Sequence, residues 1–156
     1  MFIVTHAAIG ALLGEELSAH PILVFVLAFL AHFLTDLIPH GDTHLYKGYL
    51  AGTKVKKALL FVGVDTLITV FFIVYLFARV IMDHRLAVAM GVGGGILPDV
   101  LVALYELFRF RWLQSFHRLH FYFHNLVNSR IGDLSLPTGM VMEVLILTVL
   151  ISRVIW

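Results

Sequence analysis

The chain has 156 residues, 60% of them hydrophobic and 13% charged, with a formal net charge of +1 and a mean hydropathy of +0.96. Soluble domains carry about 25% charged residues, so this composition speaks against a soluble globular protein, and the near-zero charge excludes a strongly basic nucleic-acid binder. Cysteine is absent, which removes disulfide frameworks and thiolate zinc sites. What remains is a single all-α domain over residues 1–156 with most of its mass in a lipid bilayer.

Residues 2–14 form a first apolar segment whose small-residue face, Ala7, Gly10, Ala11 and Gly14, suits close helix packing. Residues 1–17 lack the basic flank of a secretory signal and are kept as mature structure. The segment is short against the ~20 residues of a full span, so it is tilted, half-buried or re-entrant. Pro21 opens a second span over residues 22–38, closed by Pro39 and Gly41. Residues 41–57 read as a polar loop carrying Lys47, Lys54, Lys56 and Lys57. A third span, 58–77, holds one carboxylate, Asp65. A tight connection with Arg79, Asp83, His84 and Arg85 leads to a fourth span, 86–107, interrupted by Gly91, Gly93, Gly94, Gly95 and Pro98. In residues 108–130 aromatic side chains alternate with Arg and His, which suits an amphipathic helix at the membrane interface. A turn at 131–137 precedes a last apolar helix, 138–151, closed by Arg153 and Trp156. The expected architecture is a polytopic membrane helical bundle with four to five membrane segments and one interfacial amphipathic helix.

The basic residues after the second and fourth spans orient both ends to the cytoplasm, with the third and fourth spans as a hairpin in a cell inner or plasma membrane. At ~1.5 Å per residue, Asp36 and His32 lie roughly 6 and 12 Å inward of His40, Asp65 about 12 Å inward of Lys57, and Asp99 about 15 Å inward of Arg109. His6 lies near the same level, and His117, His120 and His124 beside the same face. The unusual polar residues therefore gather at one depth, in the cytoplasmic half. Ionisable residues at membrane depth are costly and mark function by default.

These residue types are metal ligands. On a helix at ~100° per residue, His32, Asp36 and His40 fall within about 80° of one another, unless Pro39 breaks the helix and His40 approaches from a loop, and imidazole and carboxylate suit zinc and related divalent ions. His120 and His124 repeat the i, i+4 spacing. The ligand candidates are His6, His32, Asp36, His40, Asp99, His120 and His124. Asp65 and Asp42 are candidates for a general base, and His44, His117, Arg118 and Asn125 for contacts to a phosphate. The Gly-rich stretch lacks a phosphate-loop lysine and reads equally as close helix packing. Asp99, beyond it, sits where unwound backbone lines a cavity.

Thr5-His6 with Gly10, the H-F-L-T-D-L-I-P-H-G-D stretch at residues 32–42, Leu97-Pro98-Asp99 and the downstream His cluster resemble the small integral-membrane metal-dependent hydrolases, relatives of zinc-dependent phospholipase C and the S1/P1 nucleases. The resemblance covers about the first hundred residues. It implies an all-helical fold and a two- or three-metal site for phosphoester hydrolysis, with His6, His32, Asp36 and Asp99 as ligands. The chain departs from the family in two places. Gly41-Asp42-Thr43-His44 keeps only part of an H-R-G-x-T-H motif, and His120-x3-His124 stands where an H-x3-E pair is expected.

The expected function is hydrolysis of a phosphoester, phospholipid-like or otherwise membrane-proximal, by two divalent ions, zinc or else manganese or iron. Two rivals differ in what they require. A metal or proton transporter needs ligands continuing to the opposite face, where the spans are almost purely apolar. A helical scaffold would use His and Asp as interhelical glue and would be indifferent to metal.

Overall fold

The structure, a computed structural model, describes residues 1–80 and 82–155, so the Trp156 anchor expected above lies outside the described residues. The described residues contain helices and no strand. In chain order the helices are α1 (Ile3–Glu16), α2 (Pro21–Thr35), α3 (Thr43–Leu50), α4 (Val55–Arg79), α5 (Arg85–Phe108), α6 (Gln114–Leu126), α7 (Asn128–Ile131) and α8 (Leu136–Ile155). Among the described residues, α4, α5 and α8 are long and apolar enough to cross a membrane; α2 is apolar but shorter.

The short first segment is the centre of the bundle. α1 contacts α2, α4, α5 and α8. It is enclosed on most sides, hence its lack of a polar stripe. Ala7, Ala8 and Ala11 are fully buried and join Val4, Phe72, Leu76, Val88 and Val92 in the core. The small-residue face does what its composition predicts. A Cβ on Gly10 would overlap the carbonyl of Gly91, and one on Gly91 the carbonyl of Gly10. The two backbones touch, and the Gly-rich stretch of α5 is a packing surface for α1 and α2.

Burial is inverted relative to a water-soluble bundle. Leu60, Phe71 and Val74 on α4 and Val144 and Leu145 on α8 are exposed, while His6, His32, Asp36 and His40 are at most 2% exposed. An apolar exterior around a polar interior suits lipid surroundings.

Three sequence expectations are corrected. α5 is not interrupted: it runs unbroken through Pro98, which is buried within it. A proline forfeits one backbone hydrogen bond, and the packing of α1 and α2 on this stretch keeps the turn in place. α2 ends at Thr35 with Asp36 as its C-cap, so His40 approaches from the following loop and not from the helix face shared by His32 and Asp36. The polar loop of residues 41–57 contains a two-turn helix, α3, whose buried residues are Thr43, Leu45 and Gly48.

Candidate metal centre

Asp36 is the hub. Its Oδ1 lies 3.1 Å from His6 Nε2, and its Oδ2 lies 3.3 Å from His32 Nε2 and 3.6 Å from His120 Nε2. Asp99 Oδ1 stands 3.7 Å from His32 Nε2 and 3.9 Å from His120 Nε2. Beside this set, Asp42 Oδ1 is 3.1 Å from His40 Nε2 and 3.3 Å from His124 Nε2. The donor atoms fall into three groups able to hold an ion: His6, His32 and Asp36; His32, Asp99 and His120; His40, Asp42 and His124. Helices α1, α2, α5 and α6 and the loop before α3 supply them. All seven expected ligands are thus brought together, joined by Asp42.

The rings are held in one orientation. His32 Nδ1 donates to the Gly95 carbonyl at 2.8 Å, and His40 Nδ1 donates to the Ile38 carbonyl at 2.8 Å. Thr35 donates its hydroxyl to the carbonyls of Ala31 and His32, so it can accept from His6 Nδ1 at 3.3 Å. Once Nδ1 carries the proton, Nε2 is a lone pair. In the neutral rings those lone pairs would face carboxylate oxygens, acceptor against acceptor. His32 Nε2, Asp42 Oδ1 and Asp99 Oδ2 are buried with no hydrogen-bond partner, a costly state without a cation between them.

The separations also fit. Donors around a tetrahedral ion at bond lengths of about 2.0–2.2 Å stand about 3.3–3.6 Å apart, close to the distances above. His40 Nε2 makes the same point. It faces the Met1 amine at 2.7 Å, a donor, and Asp42, an acceptor, so neither protonation state satisfies both neighbours. The Met1 nitrogen also lies 2.6 Å from Asp36 Oδ1. Burial pushes the His120 imidazole down to about 3, leaving it neutral as a ligand must be.

Other expected site residues take different places. Asp65 accepts the backbone N–H groups of Ile3 at 2.7 Å and Val4 at 3.3 Å. It caps the free amides at the start of α1 and belongs to none of the three ligand groups. His117 Nε2 lies 2.9 Å from Glu106 Oε1, which also accepts from the Tyr46 hydroxyl at 2.9 Å. His44 is exposed on the first turn of α3 and lines a shallow cleft with Asn128 and Asp133. Arg118 and Asn125 line a larger groove between α3 and α6.

Three residues escaped the sequence reading. Asp133 receives the backbone N–H groups of Gly41 at 2.9 Å and Thr43 at 3.0 Å, pinning the loop that carries His40 and Asp42. Burial opposes its ionisation, but the hydrogen bonds from Thr43, Gly41 and Leu134 together outweigh it and hold its carboxyl below the usual range. Gly41, at φ +91°, lets this loop turn against Ser135 and Leu136. Glu143 is 1% exposed on α8 and accepts the Thr5 hydroxyl at 2.6 Å, one residue from His6. As the one acid in its apolar stretch, it is flagged by the rule that flags Asp65. Glu106, holding Tyr46 and His117, has no comparable signal because it sits near a helix end.

Replacing Asp133 with alanine frees the His40–Asp42 loop. Metal affinity of the His40, Asp42 and His124 group then falls ~10–100-fold, as for other outer-shell partners, with the His32 groups unchanged. Chelator-competition titration with zinc reads both.

No family model matches the chain, and neither a curated protein nor a solved structure matches it. Among the described residues, fold and site define an all-helical protein with three helices able to cross a membrane and several buried His/Asp groups able to hold metal.

Proposed function

We propose that the chain is a membrane-embedded, divalent-metal-dependent hydrolase of phosphoesters, working at the cytoplasmic boundary of the membrane. The observation that carries this reading is the set of buried imidazoles tethered at Nδ1 whose Nε2 atoms stand against carboxylate oxygens, His32 at 3.3 Å from Asp36 and His40 at 3.1 Å from Asp42. Two ions are favoured over three by valence. His32 Nε2 has one lone pair, so the two groups that share it merge into one centre of His6, His32, Asp36, Asp99 and His120. His40, Asp42 and His124 form the other. A pair of bound divalent ions, zinc first among them, lowers the pKa of water and offsets charge on phosphoryl oxygens.

The chain's own residues do the rest. Asp36 faces His6, His32 and His120 and fixes one centre. Asp42 faces His40 and His124 and fixes the other, and Asp65 is used on the α1 amides, so neither carboxylate expected as general base is free for that role. Asn125, next to His124, and Arg118, almost two turns back along α6, line one groove and are the candidates for contacts to phosphate oxygens.

Detergent-purified protein loaded with zinc, manganese or iron(II) is assayed with p-nitrophenyl phosphate and its bis-ester. Metal-dependent hydrolysis, lost with chelator, is expected. Stoichiometrically loaded protein that cleaves neither ester would sink the reading.

A further inference from the structure

We infer that His117 is the proton donor to the departing ester oxygen, held in place for that task by Glu106 and Tyr46. This rests on the phosphoester reading and adds the group that protonates the product alcohol.

An alkyl or aryl oxygen leaves slowly as an anion, and a positioned acid speeds its departure by ~10²–10⁴-fold. The three ligand groups have no such acid to spare, since each of their imidazoles and carboxylates faces another ligand atom. His117 belongs to none of them, yet it lines the groove between α3 and α6 together with His124. On α6 it stands one turn before His120 and two before His124, ~4.5 and ~10 Å back along the axis and within ~60° of both around it. A phosphoryl group lying against both rings is then ~7 Å away, a span that the ester oxygen and one water cover.

The ring is built into a dyad. Its Nε2 lies 2.9 Å from Glu106 Oε1, and an ionised carboxylate only accepts, so Nε2 carries a proton. The same oxygen accepts the Tyr46 hydroxyl at 2.9 Å, and Arg109 stands 2.7 Å from Oε2. Burial and Glu106 push the Tyr46 hydroxyl up to about 13, so it stays a donor and keeps Glu106 in place. Tyr105 and Phe121 pack against the imidazole, with ring centroids 4.4 and 4.7 Å away. A carboxylate on one ring nitrogen fixes the ring and stabilises its charged form, leaving the other nitrogen, Nδ1, to exchange protons with a ligand in the groove. The His117 side chain is 17% exposed, so solvent can return the proton after each turnover.

In the step itself a water oxygen bonds to phosphorus while the ester P–O bond breaks, its electron pair staying on the departing oxygen. The proton on His117 Nδ1 goes to that oxygen, and the alcohol leaves neutral. The added water keeps one proton on the phosphate and gives up the other to solvent, from which the ring is recharged.

The test compares leaving groups. Whichever 4-nitrophenyl ester the zinc-loaded protein cleaves is paired with the phenyl ester of the same phosphate, and both rates are taken at saturating ester. Nitrophenolate departs readily without a proton, and phenolate does not. His117→Gln therefore raises the nitrophenyl-to-phenyl rate ratio about 100-fold, and Glu106→Gln about tenfold, with zinc content and helix content compared with the native protein. If His117→Gln loses its zinc, Glu106→Gln decides alone. An unchanged ratio overturns the donor while leaving the phosphoester reading intact, and equal losses on both esters mean that Glu106 and His117 only clamp α5 to α6. Native protein that cleaves no nitrophenyl ester overturns the phosphoester reading, and this inference with it.

Discussion

Alanine at position 32 empties one metal centre and leaves the other loaded. Elemental mass spectrometry of protein purified without chelator should give about two equivalents of divalent metal for the native chain and about one for His32→Ala. His32 is the sharpest choice because its Nε2 belongs to two of the three ligand groups, while its Nδ1 is anchored on Gly95. Outer-shell partners alone tune affinity ~10–100-fold, so loss of a ligand shared by two groups should exceed the upper end of that range. His124→Ala is the reciprocal variant: it should lose the other equivalent, because His124 faces only the Asp42 group. On the phosphoester reading, hydrolysis should fall at least ~100-fold in either variant, because that reading needs both ions. The scaffold alternative predicts otherwise. If His and Asp served only as interhelical glue, neither protein would hold metal after it was added back, and His32→Ala would lower the melting temperature alone.

The candidate ligands were legible because an apolar chain makes them so. A His or Asp in an apolar segment stands out against its neighbours, and depth counting placed His6, His32, Asp36 and Asp99 at one level, where the fold brings them together. Segment boundaries were less legible. Ile38-Pro39-His40 and Leu97-Pro98-Asp99 look alike in sequence and end differently. Pro39 lies beyond a helix that has already stopped at Thr35, while Pro98 is buried inside α5 among α1 and α2. Proline removes the same hydrogen bond in both places, and tertiary packing decides whether the helix survives. The role of Asp65 was illegible for a related reason. Its partners are the backbone amides of Ile3 and Val4, about sixty residues away in sequence, and an amide leaves no mark in a pattern of side chains. Asp133 was hidden the same way, among ordinary turn residues, because it too binds backbone.

Leucine at Gly91 should abolish the folded bundle, whereas alanine at Gly93, two residues along the same helix, should be neutral or slightly stabilising. The contrast follows from what each added side chain would meet. At Gly91 the first carbon already overlaps the Gly10 carbonyl, and the reciprocal contact from Gly10 is equally close. Both obstacles are backbone, so no rotamer change relieves them, and α1 must move away from α5. Overpacking that side chains can absorb costs about 1–3 kcal/mol; here rigid helices must separate, against a total stability of only ~5–15 kcal/mol. The effect also reaches the metal centre. α1 carries His6 and α5 carries Asp99 and the Gly95 carbonyl that orients His32, so parting the two helices dismantles the ligand set from three sides. At Gly93 an added Cβ meets nothing within 4 Å, and the better helix propensity of alanine contributes ~0.5–1 kcal/mol. Size-exclusion profiles, melting curves in detergent and metal content separate the outcomes. Gly91→Leu should give aggregated, metal-free protein, and Gly93→Ala a native profile with both equivalents bound. A monodisperse, metal-loaded Gly91→Leu would mean that α1 does not lie against α5, and the centre built on their contact would fall with it.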